Sequence, residues 1–237
     1  MKHFLLSMAV LVLFCGGCKT PLRIGEKQEI KIGQAAAGKL EAEQGVWEDR
    51  AQTSRVRRIG MSIAENSARP GLPWSFKILN ESQVNALALP GGFVYVTRGL
   101  IESGMGDEEL AGIIGHEVSH VTERHGVKRL EKALTASLLL DIATQESSEA
   151  TQKAADIVLE LALREGYREE EYEADRKGTE LSYRTGYRAE GLLNFLRKIR
   201  EMEGRNPSQL EVWMSTHPPT AKRIARLEAF LPSLIRR

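Results

Sequence analysis

His116-Glu117-Val118-Ser119-His120 is the feature that most narrows what this chain can become, because it lies inside a helix-like run in a chain with only five histidines. A helix turns about 100° per residue, so histidines four apart leave one face within about 40° of each other. Their imidazoles can converge on one Zn²⁺ at roughly 2.0–2.1 Å, with room for a third ligand and a water. Glu117 stands about 100° round from His116, within reach of that water as a base without ligating the metal itself. Upstream, Glu108-Glu109 puts negative charge at the expected helix start. Gly112 and Gly115 on the apolar face permit close packing beside the metal. Histidines on such a face are costly unless hydrogen-bonded or ligated. An idle, solvated pair is the alternative, and the flanks favour zinc, one ion per chain.

A third ligand has to come from elsewhere. Residues 168–178 form an acidic helical stretch in which Glu171 and Asp175 are four apart and share a face. Glu171 can ligate zinc while Asp175 hydrogen-bonds the far nitrogen of a histidine ligand and fixes its tautomer. Such runs are also ordinary solvated faces, and the H-E-x-x-H tips the choice towards ligation.

This combination resembles the HtpX/CAAX-prenyl-protease group of zinc metallopeptidases (peptidase family M48), particularly its soluble periplasmic lipoprotein branch. The resemblance rests on four ordered segments across about residues 50–230. They are H-E-x-x-H at His116–His120; E-x-x-A-D at Glu171–Asp175; an N-A-x-x-x-P-G-G strand segment from Asn85 to Leu100; and Thr216-His217-Pro218 with Arg223-Ile224, like the family's T-H-P-x-x-x-x-R-I element. It implies His116, His120 and Glu171 as zinc ligands, Glu117 as catalytic base and Asp175 as the group that orients a histidine ligand.

Phe93, Val94, Tyr95 and Val96 follow a Pro90-Gly91-Gly92 turn signal and read as a strand. A free edge there could pair with an extended peptide, while a covered core strand is the other option; the resemblance favours substrate binding. His217, held extended by Pro218-Pro219, matches a histidine that in the periplasmic relatives can approach the zinc and shut out water. His217 or Arg223 could instead stabilise the oxyanion of the reaction. His125, five residues past His120, projects about 140° away on a continuous helix and reads as non-ligating.

The amino terminus speaks for export. Lys2-His3 precede an apolar run from Phe4 to Phe14, too short to span a bilayer but suited to a secretory signal. Cys15-Gly16-Gly17-Cys18 resembles a bacterial lipoprotein box, with Cys15 where leucine is usual. Lipidation of Cys18 is expected, with Lys19 pointing to outer-membrane sorting and plain cleavage after the glycines as the alternative. Both cysteines then lie in the signal region, leaving no internal disulfide. The net charge of +1 argues against a nucleic-acid surface. With no serine or cysteine nucleophile motif and no nucleotide-binding glycine fingerprint, the partners expected are protein or peptide substrates and the membrane through a lipid anchor.

The organisation read from the chain is a signal at residues 1–17, an anchor or tether with a first helix at 18–45, and a metallopeptidase domain at 46–237. The chain reads as a minimal catalytic unit with no tetratricopeptide array after it. Helical patterns run over 34–44, 47–68, 107–125, 127–145, 150–185, 188–203 and 218–231, with one or two strands between 74 and 97. The fold expected is α+β and mainly helical, zincin-like, with a small sheet beside the zinc helix. The expected function is zinc-dependent endoproteolysis in quality control of misfolded or misassembled envelope proteins. The alternative is a latent or non-catalytic assembly or chaperone-like lipoprotein with an occluded zinc site.

Overall fold

The computed structural model describes residues 23–145, 147–164, 167–203, 207–217 and 220–236; the signal region and Cys18 lie outside the described residues. Three strands, β1 (Ser75–Leu79), β2 (Ala86–Leu89) and β3 (Phe93–Thr97), form a mixed sheet in the order β1-β3-β2. β1 runs parallel to β3, and β2 folds back antiparallel across Gly91-Gly92, whose φ of 81° and 102° suits glycine alone. The period-two alternation of β3 then sorts its side chains. Val94 and Val96 join Phe76 and Ile78 on one face, and Tyr95 joins Leu79, Leu87 and Leu89 on the other.

Helices cover both faces, so the fold is α+β and mainly helical, as the pattern of elements required. On the first face lie α2 (Arg50–Glu65), α4 (Asp107–Thr122), α9 (Gly191–Glu203) and α11 (Thr220–Ile235). On the second lie α1 (Glu26–Gln44), α5 (His125–Ala133), α6 (Ala136–Gln145) and α7 (Ser148–Ala162). α8 (Arg168–Arg184) crosses α4, while the short α3 (Arg98–Glu102) and α10 (Glu211–Thr216) complete the chain. No helix among the described residues is long and apolar enough to cross a membrane.

Several boundaries differ from the sequence pattern. α1 begins at Glu26, not near residue 34, because the tether-like stretch carries Ile32, Ala36, Ala37 and Leu40 on one buried stripe. The helix expected over 127–145 breaks between α5 and α6, where Leu134 is extended and the Thr135 hydroxyl accepts from the Leu138 amide. The helix expected over 150–185 is two. α7 packs Ala154, Ala155 and Val158 into the second core, whereas α8 turns Ala174 and Gly178 towards α4, and one straight helix cannot serve both.

α1 is anchored by a buried charge. Glu29, 1% exposed, faces Arg69 at 2.8 Å and Arg124 at 3.0 Å, and accepts from the Gly91 amide at 3.2 Å. Gly33 lies so close to the Pro90-Gly91 turn that a Cβ there would meet the Pro90 carbonyl oxygen at 1.8 Å. The N-terminal helix therefore holds the turn that ends β2. Replacing Glu29 with Ala removes the carboxylate that two guanidinium groups share, leaving Arg69 with Glu26 at 2.8 Å and Arg124 with the Ile24 carbonyl at 2.6 Å. We expect a loss of about 3 kcal/mol in urea unfolding, the low end for breaking a buried pair because Arg124 keeps some water. Replacing Lys153, in an exposed pair with Glu149, should leave the unfolding midpoint unchanged.

Candidate metal centre

α4 starts on Gly106, whose amide donates to Glu109 at 2.6 Å, with Asp107, Glu108 and Glu109 filling the first turn where the helix dipole favours them. Its middle is buried on every side, and it meets α8 backbone to backbone. A Cβ on Gly115 would stand 2.6 Å from the Gly178 carbonyl oxygen, and one on Gly178 would stand 2.5 Å from the His116 amide nitrogen. Gly112 is equally tight against Leu192 of α9. With no side chain between the helices, Glu171 and Asp175, on the same stripe of α8 as Gly178, reach the histidines of α4.

The donor atoms converge. His116 Nε2 is 3.0 Å from His120 Nε2 and 3.5 Å from Glu171 Oε2, and His120 Nε2 is 3.3 Å from Glu171 Oε1. Ligands about 2.0–2.1 Å from a tetrahedral ion are about 3.3–3.4 Å apart, and these separations, which involve both Glu171 oxygens, lie within about 0.4 Å of that spacing. The other ring nitrogens are engaged. His116 Nδ1 is 2.9 Å from Asp175 Oδ1, and His120 Nδ1 is 2.9 Å from His125 Nδ1. Glu171 Oε2 and Glu117 Oε1 are buried without hydrogen-bond partners, which suits groups kept for an ion and a reactant.

The electrostatics call for positive charge. Burial disfavours a charged His116, yet the Asp175 and Glu171 carboxylates outweigh it and push its pKa up to about 9. Asp175 stays below the usual carboxylate range despite burial, because Arg223 and His116 hold it ionised. Arg223 donates to both its oxygens, Nε at 2.8 Å and Nη2 at 2.6 Å.

Two sequence expectations are corrected here. Arg223 is spent on Asp175 and on Glu171, 3.3 Å from Nη1, so it braces the carboxylates from behind and does not face a reacting carbonyl in the cleft. Phe93, Val94, Tyr95 and Val96 do not make a free edge, because β3 is the central strand and pairs on both sides. The strand that lines the cleft is β2, through Ala86, Leu87 and Ala88, opposite Val158, Leu161 and Ala162. Asn85 accepts from the Thr97 amide at 3.0 Å, so by antiparallel alternation Leu87 and Leu89 bond to β3. Ala86 and Ala88 then turn their backbone groups outward.

His217 lines the same space. It caps α10, lies flat on Trp213 with ring centroids 4.0 Å apart, and sets Nε2 3.5 Å from Glu117 Oε1, too far for a sound hydrogen bond. With His116 and Glu117 it forms a second cluster of metal-capable atoms. His125 was read as turned away from the site, but α4 ends at Thr122 and Arg124 takes the left-handed φ of 57°. That turn starts α5 anew and delivers His125 beneath His120.

With this geometry in hand, comparison with known sequences adds one decisive match: the profile of peptidase family M48 fits residues 50–231. The chain belongs to peptidase family M48. That family is one of metallopeptidases, and its chemistry implies a metal. The chain is 26% identical to the beta-barrel assembly-enhancing protease of Yersinia pestis over 208 residues, covering 84% of this chain and 43% of that protein. It is 27% identical to the mitochondrial metalloendopeptidase OMA1 of Schizosaccharomyces pombe, across 76% of this chain and 53% of that one. The metalloprotease YcaL of Escherichia coli K12 is 28% identical, across 71% and 66%. The chain thus spans less than half the length of the assembly-enhancing proteases it matches.

The α4–α8 contact gives this M48 domain a direct test. Gly178→Ala forces the helices apart at the metal centre; we expect a stability loss on the order of 1–3 kcal/mol by urea unfolding, with weakened zinc binding by chelator competition. Gly38→Ala, in an exposed part of α1 where a Cβ meets nothing, should stabilise by about 0.5–1 kcal/mol and leave zinc binding unchanged.

Proposed function

We propose that this chain is a metalloendopeptidase that holds one zinc ion through His116, His120 and Glu171, uses Glu117 as general base and then acid, and cleaves misfolded or misassembled cell-envelope proteins. The observation that carries the proposal is the convergence of His116 Nε2, His120 Nε2 and the two Glu171 oxygens at separations of 3.0, 3.3 and 3.5 Å, with the unpartnered Glu117 oxygen beside them. His₂Glu with an adjacent glutamate is the donor set of a zinc hydrolase. When bound, zinc would supply the Lewis acidity that polarises the scissile carbonyl and acidifies a water. Glu117 takes the proton of the attacking water and passes it to the leaving amine, so no covalent intermediate forms. Ala86 and Ala88 offer backbone groups to an extended substrate, adding a strand outside β2 and holding its carbonyl over the site. Asp175 keeps the His116 ring in the tautomer that leaves Nε2 free, and Arg223 keeps Asp175 ionised.

The envelope role draws support from a relative named a beta-barrel assembly-enhancing protease and from the signal-like amino terminus. In this proposal the chain is exported, lipidated at Cys18 and tethered to the outer membrane facing the periplasm.

One observation favours a latent resting state. Thr216 Oγ1 donates to the Val212 carbonyl at 2.9 Å, so at 2.8 Å it accepts from His217 Nδ1. His217 Nε2 then carries a lone pair and faces His116 and Glu117. A lone pair can ligate a metal but cannot donate to an oxyanion, so this tautomer supports reading His217 as a gate over reading it as an oxyanion stabiliser.

Zinc content and cleavage of unfolded casein test both parts. Glu117→Gln should keep about one zinc per chain and lose roughly 10²–10⁴ in kcat/KM. His217→Ala should keep zinc and raise turnover. Zinc retained with full activity in Glu117→Gln would contradict the assignment of the base, and reduced turnover in His217→Ala would contradict the gate.

A further inference from the structure

We propose that His125 is a positioning residue of the metal centre: its Nδ1 accepts from His120 Nδ1–H and so fixes the ring plane and tautomer of that ligand, while Glu173 fixes His125 in turn. The proposal rests on the metal centre described above.

The placement of each proton follows from the one before. His120 turns Nε2 to His116 and Glu171, so Nε2 is the ligating nitrogen and needs its lone pair. A neutral imidazole with that lone pair keeps its proton on Nδ1. The partner of that N–H is His125 Nδ1 at 2.9 Å. To accept it, His125 must carry its own proton on Nε2, and Nε2 stands 3.2 Å from Glu173 Oε2. Glu173 Oε1 is held by Lys177 at 2.8 Å, and Lys177 reaches Glu123, the cap residue of α4, at 2.6 Å. The hydrogen bonds thus run one way, from the ligand outward to a carboxylate fixed at the surface.

The arrangement is the counterpart of the one behind His116. There a buried carboxylate braced by Arg223 accepts from the ligand. Here a neutral imidazole does so, and Glu173, 38% exposed, supplies the charge one step further out. A carboxylate next to His120 would add another buried negative charge beside Glu171 and Asp175. An imidazole supplies the acceptor without that cost.

Packing alone does not explain His125. It is 2% exposed, and both ring nitrogens stand within hydrogen-bond distance of a partner, His120 Nδ1 at 2.9 Å and Glu173 Oε2 at 3.2 Å. It is also delivered at a cost. Arg124 adopts a backbone conformation worth on the order of 1 kcal/mol or more of strain for a side-chain-bearing residue. Its guanidinium holds that turn by pairing with Glu29 at 3.0 Å and donating to the Ile24 carbonyl at 2.6 Å.

The test is zinc affinity of the full chain by competition with a chromophoric chelator, beside the visible spectrum of the Co²⁺-loaded chain. His125→Phe fills the space without the hydrogen bond. We expect zinc binding about 10–100-fold weaker, with changed Co²⁺ absorption bands and little change in the melting temperature of the metal-free chain. Glu173→Leu should weaken binding in the same direction by less, and Glu173→Gln, whose amide oxygen still accepts, should restore it. Affinity within twofold of the parent chain and an unaltered Co²⁺ spectrum in both His125→Phe and Glu173→Leu would overturn the proposal. If His125→Phe does not fold, Glu173→Leu at its half-exposed position decides alone. A parent chain that binds no zinc would instead overturn the metal centre on which the proposal rests.

Discussion

The contact between the backbones of α4 and α8 at Gly115 and Gly178 is the constraint on which the rest of the structure depends. Helix surfaces ordinarily stand 8–10 Å apart at their axes because side chains interdigitate between them. Here a single Cβ on either glycine would collide with main-chain atoms of the other helix. That approach lets Glu171 and Asp175, seven and three residues before Gly178, touch the imidazoles of α4 directly. Gly112 against Leu192 and Gly191 against Glu108 repeat the device on the α9 side, so α4 is seated between two close neighbours. A helix carrying His116, Glu117 and His120 is rigid for that reason, and rigidity is what keeps donor atoms at ligand spacing before any ion arrives.

Charge is the second organising quantity. His116, Glu117, Glu171, Asp175 and Arg223 are all nearly inaccessible, and a buried ionic group is tolerated only when its partners replace water. The chain meets this by layering. Arg223 serves two carboxylates, Asp175 serves His116, and on the other side His125, Glu173 and Lys177 carry the same logic out to the surface. Of these residues, Glu117 Oε1, Glu171 Oε2 and Arg223 Nη1 have no hydrogen-bond partner; the last two stand 3.3 Å apart as an ion pair, and Glu117 Oε1 lies 3.5 Å from His217 Nε2.

The parts of this site that were legible in the sequence are those set by local periodicity. H-E-x-x-H and the Glu171–Asp175 spacing each place two groups on one helix face, and glycines beside the motif announce close packing. What stayed hidden depends on contacts between distant segments. The 140° estimate for His125 assumed an unbroken helix, and nothing local in Glu123-Arg124-His125 signals a left-handed arginine, because its reason is Glu29, ninety-five residues earlier. A left-handed, non-glycine residue soon after the H-E-x-x-H helix is visible only once both partners are placed. Phe93–Val96 has the composition of any half-buried strand, and its central position follows from pairing with β1 as well as β2. Arg223 could be assigned to an oxyanion only until its three donor nitrogens were found against Asp175 and Glu171. The early start of α1 was masked by its polar residues, which form its outer face.

The most direct test of the metal centre is X-ray anomalous scattering at the zinc edge from crystals of this chain grown with zinc. A single anomalous peak about 2.0–2.1 Å from His116 Nε2, His120 Nε2 and a Glu171 oxygen, with Glu117 outside bonding distance, is the expected result. A peak bound by Glu117 or elsewhere on the surface, or none at the histidines, would contradict the centre from which the proposed chemistry follows.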